Sequence, residues 1–378
     1  MVVPALTKLD IAKGYKGNLI SCDNALLVPW GENRQEEICH VTDTGNNKMI
    51  YQHRDICDRP LSEYAAKSLN LPAKKLSGTY ILSGYISSHL GHFLTGTLGP
   101  LWAMDHVKDH IDAILCFRIV ANTPDKTKRD EENMCSYLEQ LGIDLPVHTV
   151  TGPTCVDHLI LSEPGIASYK NAQGSSYYHR FLRERNALHG HALRQKSRTK
   201  IYVTRSKLSV KRRGIVGESA LEKTFAAAGY EIYSPEKFSL SEQIEKYQTA
   251  SVIVGLDGTP FHLIPSVCPK NIKVAIISRR NHDGGPVVNF SGQFEAAIGT
   301  PSSIIHHIKG EWRPRDVANP NLNFSVLDFG EMYQDLVDGG FLEPSCQKFF
   351  PTTEEVEGHI HEIESNVGTP YELVEFQK

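Results

Sequence analysis

Three stretches of this 378-residue chain carry side chains whose types and spacing could do chemistry. The first is HLGHFLTGTLGPLW, His89 to Trp102, which follows the apolar run GTYILSGYI. His89 and His92 lie three apart and share a face if the segment is helical. An imidazole titrates near neutrality, so either ring could take a proton as a general base or contact a substrate. A metal pair is disfavoured, because no HExxH pattern or carboxylate at ligand spacing accompanies them. The competing reading is a histidine satisfied in a core or at a helix cap.

The second stretch is TRSKLSVKRR, Thr204 to Arg213, directly after the apolar run KIYV. Arg205 leaves the carboxyl end of that strand, and Arg212 and Arg213 follow in the loop. Ligands of open α/β sheets sit outside such ends, and a guanidinium fork matches phosphate oxygens, so the loop could clamp a pyrophosphate. A solvated basic loop is the alternative. The third stretch is GLDGTPFH, Gly255 to His262, a glycine-bearing turn between the strand SVIV and a predicted helix. Backbone N–H groups and a helix N-terminus could hold a phosphate there, although the full G-x-G-x-x-G fingerprint is absent and an ordinary βα turn fits equally. No GxSxG elbow, P-loop or catalytic-cysteine signature occurs, and the remaining histidines form no ligand set.

The elements that must position these residues follow from periodicity. Residues 17 to 51 alternate apolar and polar around GEN and TGNN, which predicts an N-terminal β-meander. Beyond it come a strand at GTYILSG, one long helix from about His89 to His110, a strand at AILCFRIVA, a helix near Asp125 to Leu141, and strands at VHTV and HLILS. Helical spacing from Ser176 to Leu193 runs into the basic HGHALRQKSR, a linker by composition. The second half alternates strand and helix through KVAIIS, with Gly229 ending one helix and Ser239 or Ser241 capping the next. This pattern predicts an α/β protein of two Rossmann-like halves, with domains at 1–195 and 196–325 and a helical tail at 326–378.

Composition sets the outer bounds. A formal charge of −4 and a pI near 6.5 argue against a general nucleic-acid binder. No run of eighteen apolar residues predicts a membrane span, and the N-terminus lacks a secretory pattern, which leads to the expectation of a cytoplasmic protein. The eight cysteines show no CxxC pair and are expected to be reduced thiols.

In their order and spacing, the three stretches resemble glycosyltransferase family 61, which includes bacterial capsular-polysaccharide transferases, plant xylosyltransferases and O-linked GlcNAc-transferases of the secretory pathway. The resemblance runs from about Gly17 to Arg280. HLGHFL is similar to the family's HFGHFL, and IYVTRSKLSVKRRGIVGE to its strand and arginine loop. GYEIYSPEKFSLSEQI, Gly229 to Ile244, is similar to GFEVVDPEKLSFEEQV. The chain departs from the pattern in two places: Asp257 stands where the glycine turn usually carries histidine, and Thr95 and Gly96 stand where an acid usually follows the histidine motif.

The resemblance implies a GT-B architecture, a nucleotide-sugar co-substrate, UDP-linked by expectation, inversion at the anomeric carbon, and no metal or other cofactor. It places Arg205 and Arg213, with Arg212 beside them, against the diphosphate. Gly255, Gly258, Thr259 and His262 fall at the phosphate-side turn, and Ser234, Pro235, Glu236 and Gln243 border the base and ribose. His92 becomes the candidate base, with His89 and Asp257 as competitors. The partners implied are the donor and a glycan or lipid-linked glycan acceptor, in bacterial surface-polysaccharide assembly, with peripheral membrane contact and no nucleic acid. A polysaccharide pyruvyltransferase and a non-catalytic nucleotide- or glycan-binding relative are the rival readings.

Overall fold

A computed structural model describes residues 16–32, 37–52, 55–107, 110–118, 123–167, 171–188, 199–280 and 286–376. The chain divides into two compact units, Met1–Ala192 and Leu193–Lys378. The expected linker at 189–198 lies outside the described residues.

The N-terminal unit is built on one eight-stranded sheet, ordered β4-β3-β2-β1-β8-β5-β6-β7. Its strands are β1 (Leu19–Val28), β2 (His40–Asp43), β3 (Lys48–Gln52), β4 (Asp55–Pro60), β5 (Lys74–Tyr85), β6 (Ala113–Phe117), β7 (Val147–Val150) and β8 (Thr154–Ser162). β8, β5, β6 and β7 run parallel, whereas β1 to β4 form the antiparallel meander. The ten-residue β1 pairs antiparallel along β8, from Leu19 opposite Ser162 to Leu27 opposite Thr154. The meander therefore extends the parallel sheet, and this unit is a mixed sheet in place of the Rossmann-like half expected from the alternation. A core of Leu27, Val41, Tyr51, Leu82, Leu115, Phe117 and Leu161 runs across both parts, so burial on a shared face ties them together.

The long helix expected from His89 to His110 is instead broken. A helical turn at Leu90–His92 passes into a π-helical turn, Phe93–Thr97, and then a 3-10 segment, Gly99–His106. Its sequence explains the break. The Thr95 hydroxyl donates to the Gly91 carbonyl and the Thr97 hydroxyl to the Tyr85 carbonyl, while Leu98 N–H reaches back five residues to Phe93 O at 2.7 Å. Two glycines permit close approach: a Cβ on Gly96 would stand 2.9 Å from the Tyr85 hydroxyl, and one on Gly99 would stand 2.5 Å from the Ile166 carbonyl.

The second unit holds a wholly parallel sheet of β9 (Thr199–Val203), β10 (Glu231–Tyr233), β11 (Ala250–Leu256), β12 (Lys273–Ile277) and β13 (Ser303–Ile305), ordered β10-β9-β11-β12-β13. Successive residues of its central strands are buried on both faces, as in Ile253, Val254, Ala275, Ile276 and Ile277; that is the run a parallel sheet covered on both sides requires. On one face Tyr202 stacks on Phe225 with ring centroids 4.6 Å apart. Ser239 caps the helix Leu240–Gln248 in a reciprocal box with Glu242, and Gly229 ends the preceding helix at φ 77°.

The tail is not wholly helical. Helices Phe329–Asp338 and Thr353–Val367 are present, but β16 (Tyr371–Glu375) pairs with β14 (Ile308–Pro314), which also pairs with β15 (Phe324–Leu327). The end of the chain thus completes a three-stranded antiparallel sheet whose central strand lies before residue 326. The strand was hidden because YELVE is short and half-exposed, with no core-facing run of its own.

Candidate functional site

The order of the second sheet, 2-1-3-4-5 in chain sequence, reverses direction between β9 and β11, and ligands of such sheets bind outside the carboxyl ends of the strands at that point. The loops leaving those ends carry Arg205 after β9 and Asp257–Gly258 after β11. Arg279 and Arg280 follow β12, one strand further along. Periodicity does not single out these last two arginines, although RRN directly after KVAIIS is the same strand-end signal that picks out Arg205.

Asp257 organises the cluster. It is fully buried, its Oδ2 accepts the Arg279 backbone N–H at 2.8 Å, and its Oδ1 lies 3.3 Å from Nε of both Arg279 and Arg280. Arg279 also donates from Nε to the Asp257 carbonyl at 2.7 Å and from Nη1 to the Arg213 carbonyl at 3.1 Å. Its charge is opposed chiefly by burial and also by Arg205, Arg280 and Arg213, while Asp257 supports it.

Arg205 is half-buried. Its backbone N–H donates to Glu218 Oε1 at 2.7 Å, and its Nη2 donates to the Arg212 carbonyl at 2.9 Å, which ties the loop back on itself. Nε has no hydrogen-bond partner. Gly258 makes room for it: a Cβ there would stand 2.7 Å from Arg205 Nη1. Burial lowers the Arg205 pKa most, and Arg280 lowers it further against the pull of Glu218, Asp257 and Glu236. Glu218 lies beneath the loop, accepting also from the Thr204 hydroxyl at 3.1 Å, and burial raises its carboxyl to about 7. That carboxyl therefore titrates close to neutrality.

Arg213 is placed differently from its neighbour. It is buried at φ 49°, and its Nη2 donates to Glu311 on β14. Glu311 is satisfied further by Arg313 Nε at 3.1 Å and Asn323 Nδ2 at 2.9 Å. Arg213 Nε is left without a partner. The Arg212 side chain is exposed. A cavity of about 230 Å³ opens on this loop, lined by Arg205, Arg212, Arg213 and Glu218 and, from helix Thr353–Val367, by Glu355, His359 and Glu362.

The remaining expected contacts separate. Gly255 packs against Val203, where a Cβ would meet the Val203 carbonyl at 2.7 Å. Thr259 opens the helix Pro260–Val267 without a side-chain cap; Pro260 lacks an N–H, and Phe261 and His262 N–H bond back to Gly258 and Thr259 carbonyls. Positive charge at this turn consequently comes from arginine side chains more than from the backbone cradle the sequence suggested. His262 Nδ1 lies 3.2 Å from Gln293 Oε1. Gln243 is buried and donates to the Pro235 and Phe238 carbonyls, so it shapes the loop after β10, where Ser234 is half-buried and Glu236 exposed.

His89 and His92 lie in the other unit, after the carboxyl end of β5. Both are exposed, and their rings lie tilted at 48° to one another with centroids 4.9 Å apart. His89 forms the N-cap of the turn, with its backbone N–H 3.3 Å from the Ser87 hydroxyl. A second polar line there joins Ser21, His158 and Asp23 across β1 and β8: Ser21 Oγ lies 2.9 Å from His158 Nε2, and Nδ1 meets Asp23. It sits along a ladder whose backbone N–H groups pair between strands, so a serine nucleophile there would lack the converging donors that acyl transfer requires. Among the described residues, no group of three or more His, Cys, Asp or Glu lies close enough to hold a metal ion.

A parallel sheet with arginines beyond the carboxyl ends of its strands, at and next to the switch point, is a setting in which α/β proteins hold phosphorylated ligands. Residues 90–275 match the family described as Glycosyltransferase 61, and this match spans both the histidine segment and the arginine loop. This match supports a glycosyltransferase family 61 domain and glycosyltransferase activity. No curated protein matches it.

Proposed function

We propose that the protein transfers a sugar from a nucleotide-sugar donor to a glycan acceptor, with inversion and without a metal, and that the donor diphosphate lies at the carboxyl edge of β9, β11 and β12. The observation that carries this reading is the cluster of guanidinium groups there. Arg205, Arg213, Arg279 and Arg280 face the buried carboxylates of Asp257 and Glu311, and Glu218 is half protonated near neutrality. A dianionic diphosphate would accept charge-assisted hydrogen bonds from guanidinium forks, which are the strong kind. Asp257, enclosed by arginine N–H groups, acts in this reading as the anchor of the cluster. The proton of the acceptor hydroxyl then goes to His92, with His89 as its competitor, since both imidazoles are exposed. UDP as the nucleotide, bacterial surface-polysaccharide synthesis as the setting and the cytoplasm as the location belong to the same proposal.

Thermal melting across nucleotides and nucleotide sugars tests the donor, since a ligand bound only by the folded state raises apparent stability. A shift with UDP or a UDP-sugar, followed by a hexosyl or pentosyl mass added to an oligosaccharide acceptor, is the expected result. No shift with any nucleotide would remove the donor-site reading. A pyruvyl mass increment would reassign the reaction.

A further inference from the structure

We propose that Phe238 is the seat of the donor's nucleobase, an assignment that rests on the diphosphate reading above. The ring is 41% exposed, one of few large apolar side chains so placed among the described residues. It is not loose: it stacks on Tyr233 at a centroid distance of 5.0 Å and an interplanar angle of 20°. Tyr233 is buried and is itself met edge-on by Tyr247 at 5.8 Å. The backbone of Phe238 is pinned from both sides, its N–H donating to the Pro235 carbonyl and its carbonyl accepting from Gln243 Nε2 at 3.1 Å. A rigid aromatic plate is therefore held with one face on Tyr233 and the other toward solvent.

Its place in the sheet supplies the occupant. Tyr233 pairs with Val203 in register, and Thr204 N–H donates to the Tyr233 carbonyl, so the loop after β10 rises directly beside Arg205. Glu236, two residues before Phe238, is close enough to act electrostatically on Arg205. A flat ring held beside a phosphate-binding group suits a base, because every base offers a π-face. Gln243, which the sequence suggested for this contact, instead holds the plate in position.

Equilibrium binding of UDP, UMP and inorganic pyrophosphate to the full chain and to Phe238→Ala, Phe238→Tyr and Arg205→Ala tests the assignment. Phe238→Ala should weaken UDP and UMP by about 5- to 100-fold, the range for loss of one base-stacking contact, while pyrophosphate affinity and the melting temperature stay unchanged. Phe238→Tyr should restore nucleotide binding. Unchanged UDP affinity in Phe238→Ala overturns the assignment, as does an equal loss for UDP and pyrophosphate, which would mark a structural role. If pyrophosphate fails to bind the unaltered chain and Arg205→Ala changes nothing, the diphosphate reading itself falls and takes this one with it.

Discussion

At the scale of single residues, Arg205 and Arg213 looked alike in sequence and are separated by their partners. Arg205 leaves Nε unbonded beside a turn cleared by Gly258, whereas Arg213 is buried against Glu311. Arg205→Ala should therefore weaken nucleoside diphosphate binding by about 1.5 to 3 kcal/mol, as for a charged hydrogen bond, with little change in stability. Arg213→Ala should instead lower unfolding free energy in denaturant by about 3 kcal/mol, because it leaves a buried carboxylate short of a partner. Equal effects of the two variants on binding and on stability would contradict this division. His92 belongs to the same scale: His92→Ala is expected to lower kcat by about 10²- to 10⁴-fold with donor affinity kept, the signature of a lost general base. A rise in donor Kd alone would make it a donor contact. The histidines and Arg205 were legible because type and strand-end position announce them. The pairing of Asp257 with Arg279 and Arg280 was not, since it joins two loops across the sheet.

At the scale of elements, the close approach of β9 and β11 sets how Arg205 reaches the turn. Gly255 and Gly258 are three residues apart yet face different neighbours, a backbone carbonyl in one case and the end of a flexible side chain in the other. Gly255→Ala should cost about 1 to 3 kcal/mol of stability, because Val203 cannot yield without spreading the strands. Gly258→Ala should leave stability nearly intact and weaken nucleotide binding, because the guanidinium can swing away. The reverse ranking, read from parallel denaturation and binding curves, would show the turn rather than the strand pair to be the rigid part. Sequence periodicity found these strands. It missed the break after His89, because the helical pattern continues through LTGTLGPLW while the hydroxyls of Thr95 and Thr97 and the contacts of Gly96 and Gly99 redirect the backbone. A side chain at position 96 would strike Tyr85, so the acid that the family pattern carries near this point could not be added here without moving that ring.

At the scale of the molecule, strand and helix alternate in both halves, yet only the second half contains a wholly parallel sheet. The difference lies in β1, whose ten residues find an open edge at β8 and convert the meander into part of the same sheet. Pairing partners distant in sequence are what a local pattern cannot specify. The same holds for β16, which joins β14 and so braces the strand that carries Glu311, the partner of Arg213. The positive charge proposed to meet the diphosphate is borne by the chain itself. Activity should accordingly survive EDTA; complete loss on chelation, restored by Mn²⁺, would assign that work to an ion.

The buried carboxyl of Glu218 carries one more consequence. It accepts the backbone N–H of Arg205, and its pKa is raised to about 7. An anion arriving at Arg205 places a like charge nearby and raises that pKa further, so binding takes up part of a proton from the buffer. Affinity linked to this group is then full below about pH 7 and declines as the pH rises through it, the slope following the number of protons exchanged. Calorimetric enthalpies of UDP binding at pH 7 should vary with the ionisation heat of the buffer, and the dependence attributable to Glu218 should vanish in Glu218→Gln. Identical buffer dependence in the two proteins would mean that the carboxyl keeps its proton count throughout.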